Sequence, residues 1–150
     1  MMNYTIRRAV KEDCPRLLEL IRELAAFVNS PEAVTVSEAH FAESGFGDQP
    51  VWWAFVAESE GIVVGFAVYY IRYSTWKGQQ LYLEDLLVTR EARRHGIGKA
   101  LLARLIAEAE ARKASGVTWQ VLDWNQPAID FYTKLGADMS SGWINCSVNV

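Results

Sequence analysis

Apolar positions along the chain switch between a period near 3.6 and a period of two, and each switch marks an element. Residues 4–9 ("YTIRRA") are predicted as a first strand. In residues 12–28, Cys14, Leu17, Leu18, Ile21, Leu24, Ala25 and Val28 recur at steps of three and four, one face of an amphipathic helix. Asp13 is placed as its N-cap, Pro15 in its first turn, and "NSP" at its end. Residues 36–50 suggest a second short helix closed by glycines and Pro50. "VWWAFVAE" and "IVVGFAVYYIRY" are β-rich runs joined by "SEG", a hairpin signal. "QQLYLEDLLV" is a further strand. Residues 96–115 form a helix with Ile97, Leu101, Leu105 and Ala109 in one stripe, stopped by Gly116. "VTWQVLDW" reads as a strand and "NQPAIDFYTKLG" as a helix, with Asn125 as N-cap, Pro127 in the first turn and Gly136 past the end. "GWINCSVNV" reads as a last strand. The order β-α-α-β-β-β-α-β-α-β predicts one mixed sheet, antiparallel early and more parallel late.

Composition narrows the classes. A chain of 150 residues with 51% apolar and 22% charged residues is expected to form one folded domain, residues 1–150. A formal charge of -3 argues against a general nucleic-acid binder, which needs a basic face. No secretory leader and no membrane-length apolar run is visible. Two cysteines and two histidines, Cys14, Cys146, His40 and His95, show no metal-ligand spacing. The expectation is a cytoplasmic protein with reduced thiols, no metal, and no membrane or nucleic-acid partner.

The chemistry concentrates in "LYLEDLLVTREARRHGIGKALL", residues 81–102. Arg93-Arg94-His95-Gly96-Ile97-Gly98 leads from a strand into a helix. The first turn of a helix has free N–H groups and a partly positive end, suited to a pyrophosphate. A Walker loop is excluded because Lys99 is followed by Ala100, and a dinucleotide fingerprint would need a third glycine. A plain surface-loop helix start remains open on glycines alone. Within the strand, alternation puts Leu81, Leu83, Asp85 and Leu87 on one face and Tyr82, Glu84, Leu86 and Val88 on the other. An unpaired buried carboxylate is costly, so Glu84 or Asp85 is expected to meet a cation, a donor or water.

Arg-x-x-Gly-x-Gly between a strand and a long helix resembles the acetyl-CoA-binding loop of the GCN5-related N-acetyltransferases (GNAT superfamily). "YSTWKG", "YLEDLLV", "RRHGIGKALL", "LDWNQPAIDFYTKLGA" and the late "GW" are similar to the diamine (spermidine/spermine) N-acetyltransferase subfamily, nearest its thialysine Nε-acetyltransferase branch. The resemblance runs from "IRRAVKEDC" to Trp143. It implies a single α/β domain of α+β type, with a central mixed sheet of about six to seven strands and about four helices. It implies an enzyme that acetylates the primary amine of a small aminoalkyl compound from acetyl-CoA by direct attack in a ternary complex. It also implies a homodimer.

The resemblance assigns Glu84 as amine contact and base, with Asp85 adding negative potential. An alkylammonium, with a pKa near ~10.4, must lose its proton before it attacks. Tyr132 becomes the proton donor to the leaving thiolate. Ala128, Phe131, Tyr132 and Leu135 also have core-stripe spacing. Leu86, Leu87 and Val88 would align the cofactor arm through their backbones. Arg93, Arg94, His95, Gly96, Ile97, Gly98 and Lys99 would hold its phosphates. Asn125 and Ala128 complete the cofactor set, and Phe27, Gln120 and Trp143 the amine set, with Trp76 a possible lining for the amine's apolar stem. Polyamine-specific members carry acids where this chain has Val28 and Ser74, and a longer acidic loop where it has "MSSGW". A smaller amine than spermidine is therefore expected. A non-catalytic acyl-CoA sensor, and an acetyltransferase for polyamine, protein or antibiotic amines, are the alternatives.

Overall fold

The computed structural model describes residues 2–150. Two compact units divide the chain, Met1–Trp119 and Gln120–Val150. The first unit contains β1 (Thr5–Arg8), α1 (Cys14–Phe27), α2 (Glu38–Phe46), β2 (Trp53–Ser59), β3 (Ile62–Ser74), β4 (Gly78–Val88), α3 (Ile97–Ala111) and β5 (Val117–Thr118). The second contains α4 (Gln126–Lys134). The five strands of the first unit lie in sequence order, β1-β2-β3-β4-β5. The first three pairings are antiparallel, and β5 joins β4 in parallel.

The hairpin signal is confirmed. Glu60 and Gly61, both at positive φ (52° and 77°), form a two-residue turn whose twist suits the flanking strands. On one sheet face, Cys14, Leu17, Leu18 and Leu20 of α1 and Phe41 of α2 bury against Trp52, Ala54, Val56, Phe66 and Val68. On the other lie the buried Phe55, Ala67, Tyr69, Leu81 and Leu83, and α3 supplies the expected stripe of Ile97, Leu101, Leu105 and Ala109. α3 contacts β2, β3 and β4. Glu108, buried in that helix, takes Arg8 at 2.7 Å and Arg112 at 2.8 Å, tying β1 to α3.

Several boundaries differ from expectation. Asp13 stands at the N-cap position of α1, as expected, but its side chain makes no capping bond. Its carboxylate accepts from Arg7 at 2.8 and 3.0 Å and from the Val10 amide at 2.8 Å. Burial works against that charge, but these bonds hold Asp13 below the ordinary carboxylate value. α3 ends at Ala111, well before Gly116. Lys113 adopts φ 58°, and Ala114 N–H reaches back to Ala109 O at 2.9 Å. The sheet has five strands rather than six to seven. The strand expected over 117–124 joins the sheet only at Val117–Thr118. The run 142–150 is β-prone, but its residues are exposed and lie in no ladder. A strand needs a paired edge as well as a suitable composition.

Candidate active site

In the first unit the site begins with an irregularity in β4. Val68 pairs with Asp85 and Tyr69 with Leu83, so Glu84 has no partner of its own and forms a β-bulge. Cross-strand partners share a face. Leu83 lies on the face of Tyr69, whereas Asp85 lies on that of Val68. Glu84, one residue past Leu83, projects to the same side as Asp85. The bulge thus overturns the expected separation: both carboxylates join Tyr70 and Tyr82 on the face that α1 and α2 cover farther along the sheet.

Glu84 is exposed and Asp85 is half-buried. Burial first, then the charge of Glu84, pushes the Asp85 carboxyl up to about 6. The Asp85 carboxylate accepts no hydrogen bond from a described residue. The rings of Tyr70 and Tyr82 are 5.1 Å apart, and both hydroxyls are raised by burial and then by Glu84. This tyrosine pair was missed in the sequence. Its signal was present, because 70 and 82 fall in register across a hairpin beside an acidic pair.

The adjoining backbone is sorted by the ladder. Thr89 N–H donates to Val64 O at 2.8 Å. Antiparallel bonding alternates from residue to residue. The polar groups of Leu87 therefore point into β3, and those of Leu86 and Val88 point to the opposite edge. β5 pairs only with Leu81 and Tyr82, so no strand of this unit covers that edge beyond Tyr82. The Val88 carbonyl accepts there from Arg93 Nε at 3.0 Å.

The turn into α3 has the expected glycine device. Gly96 sits at φ 80° with open space where a Cβ would stand, and Arg94 is at φ 66°. Ala100 N–H is the first to bond back into the turn, to Gly96 O at 2.9 Å. The amides of Ile97, Gly98 and Lys99 precede it and have no intrahelical acceptor. Arg94 and Lys99 are exposed, and neither forms an ion pair with a described residue. His95 differs in kind. Its Nδ1 accepts from Met2 N–H at 3.3 Å, so its ring faces the N-terminal stretch and its backbone is what the turn offers. Free amides, unpaired cations and a strand edge that β5 leaves unpaired fit a phosphate-bearing acyl carrier.

In the second unit, Asn125 caps α4, its Oδ1 accepting from Ala128 N–H at 3.4 Å. Gly136, at φ 83°, closes the helix as expected, with Ala137 N–H on Tyr132 O at 3.1 Å. Tyr132 is buried beside Phe131, ring centroids 5.3 Å apart, and burial raises its hydroxyl above the ordinary value. Gln120 Nε2 donates to Asn145 at 3.2 Å, and Trp143 is 88% exposed. Among the described residues, no group of His, Cys, Asp and Glu could hold a metal ion, and no helix is long and apolar enough to cross a membrane.

A five-stranded mixed sheet with a bulged β4 and a glycine turn into α3 defines an α/β domain of the acyltransferase type. The sequence matches the Acetyltransferase (GNAT) family over residues 14–137. It is 40% identical over 149 residues to thialysine N-epsilon-acetyltransferase of Bos taurus, covering 92% of this chain and 88% of that one. It is 41% identical over 150 residues to human spermidine/spermine N(1)-acetyltransferase-like protein 1, covering 93% of this chain but only 22% of that longer protein. An aminoglycoside N-acetyltransferase in complex with CoA shares the fold, with a TM-score of 0.79 at 17% identity over 100% of this chain and 97% of that one. The chain belongs to the GNAT acetyltransferase family. It is an amine N-acetyltransferase, and acetyl-CoA is its acetyl donor.

Proposed function

We propose that the amine is small, of the thialysine or lysine kind, and that it attacks the acetyl group directly while both substrates are bound. The observation that carries this reading is the bulge, which sets two carboxylates beside two tyrosines next to a free strand edge. Acetyl-CoA supplies the thioester whose C–S bond breaks as the new C–N bond forms. Glu84 contacts the ammonium and accepts its proton, while the poorly solvated Asp85 deepens the negative potential. Tyr132, kept protonated by burial, donates its O–H to the departing sulfur. A cysteine relay is unsuited, because burial pushes the Cys14 thiol up to about 11.

The outward backbone groups of Leu86 and Val88 hold the cofactor arm, with Leu87 keeping the strand in place. The turn Arg93, Arg94, His95, Gly96, Ile97, Gly98 and Lys99 takes the phosphates. Asn125, Ala128 and Tyr132 complete that set, and Phe27, Asp85, Gln120 and Trp143 complete the amine set. Both units belong to one domain on this reading, supported by a family match that runs through residue 137.

Polyamines are disfavoured. Val28 lies at the end of α1, and the Ser74 hydroxyl is spent on the β3–β4 turn, accepting from Trp76 N–H at 3.2 Å and Lys77 N–H at 3.1 Å. Each missing charge-assisted contact costs about 1.5–3 kcal/mol. We also infer a cytoplasmic homodimer. Exposed Trp143, Ile144 and Val148 would suit a subunit contact, and Cys14 and Cys146 are free thiols.

The test is acetyl-CoA consumption with thialysine, lysine, spermidine and putrescine. Preference for thialysine or lysine is expected, and strong preference for spermidine would overturn the substrate reading. Tyr132→Phe should lower kcat by about 10²- to 10⁴-fold, with CoA binding little changed. Unchanged turnover would remove Tyr132 from the reaction.

A further inference from the structure

The face that carries Glu84 and Asp85 carries a cation as well. Arg72 pairs with Gln80, two residues from the Tyr70–Tyr82 pair. Residues two apart on a strand share a face, so Arg72, Tyr70 and Tyr82 line up with the carboxylates. Arg72 bends toward them: its guanidinium carbon lies 5.8 Å from the Tyr82 ring centroid. The side chain is exposed and forms no ion pair with a described residue. Its charge is therefore available to a ligand, and the tyrosine ring holds it in place at little cost.

We propose that Arg72 binds the carboxylate of an amino-acid substrate whose side-chain amine is held by Glu84 and Asp85. This rests on the amine-acetyltransferase reading above and names the substrate class within it. The face is dipolar. A guanidinium stands over one ring of the tyrosine pair, and two anions stand about one same-face step, ~7 Å, beyond that row. A diamino acid carries the opposite pair of charges at the ends of a short aliphatic chain. Its carboxylate takes the planar guanidinium in a two-pronged bond, its ammonium meets the carboxylates, and its methylenes lie across the tyrosines. A polyamine would bring a second ammonium against Arg72 and be repelled. Arg72 would thus select against polyamines as well as for amino acids.

Lysine and cadaverine, which is lysine without its carboxylate, separate the possibilities. Steady-state rates by acetyl-CoA consumption are measured for the wild type, Arg72→Gln and Arg72→Lys. For lysine, Arg72→Gln should raise KM by about 10- to 100-fold with kcat little changed, the loss of a charge-assisted bond. Arg72→Lys should recover part of it. For cadaverine, Arg72→Gln should leave KM unchanged or lower it. An equal response for both amines, or none for either, would overturn the assignment of Arg72 while leaving the acetyltransferase reading intact. Failure of the wild type to acetylate either amine would overturn the proposed substrate class and this assignment with it.

Discussion

Replacing Asp85 by asparagine should make the protein more stable and less active together. In the folded chain the carboxyl is raised from an ordinary 3.8 to about 6 by burial and by Glu84. The folded state therefore binds this proton more tightly than the unfolded state does. Its contribution to stability is full below 3.8 and is lost as the pH rises through about 6. At about 1.4 kcal/mol per pH unit, the ionised group costs roughly 2–3 kcal/mol at pH 8, allowing for water that reaches the half-buried side chain. Asparagine is nearly isosteric and cannot ionise, so the substitution removes that cost. Urea unfolding of both proteins at pH 8 and pH 4 measures it, and comparing the two cancels the titration of every other group. The variant should gain about 2–3 kcal/mol at pH 8 and little at pH 4, with a melting temperature higher by roughly 4–10 °C at pH 8. Its turnover should fall. A variant no more stable than the parent at pH 8 would refute the reasoning, because Asp85 would then have a partner that offsets its burial.

Two further outcomes follow from other parts of the first unit. Gly96→Val places a β-branched residue at φ 80°, which should cost about 1–2 kcal/mol and weaken CoA binding in a calorimetric titration by tenfold or more. Glu108→Gln breaks the link to Arg8 and Arg112 and should cost about 1–3 kcal/mol, a range reduced because Arg8 is half exposed. Burial opposes the Glu108 charge but the two arginines win, so its carboxyl is lowered. The stability it contributes is present above the ordinary carboxylate value and fades as the pH falls through the lowered one. The gap between variant and parent should therefore close in acid, as followed by chemical denaturation.

Local signals in the sequence were sufficient where one chain segment decides the outcome. The α3 stripe, the Glu60–Gly61 turn, and both ends of α4 follow from periodicity, φ demands and capping within a few residues. The bulge at Glu84 could not be read that way. Strict alternation put Glu84 and Asp85 on opposite faces, and only the pairing with β3 shows that an extra residue turns the second one over. The C-terminal run failed for a related reason: valine, isoleucine and tryptophan favour a strand, but the partner edge is a tertiary matter. Asp13 falls at the N-cap of α1 as expected, but the sequence does not show that its carboxylate serves Arg7, which lies in a different element. The candidate site residues were legible in kind, while their facing depended on register.

The edge of β4 beyond Tyr82, which β5 leaves unpaired, has a consequence for the protein's behaviour in solution. The outward backbone groups of Leu86 and the Val88 amide, which no ladder of this unit satisfies, form a template for an extended chain. A molecule that uses this edge for its cofactor carries an association hazard whenever the cofactor is away. Ligand occupancy would then act as a chaperone for the fold, covering a run of β4 that no strand of the first unit pairs with and raising apparent stability by mass action.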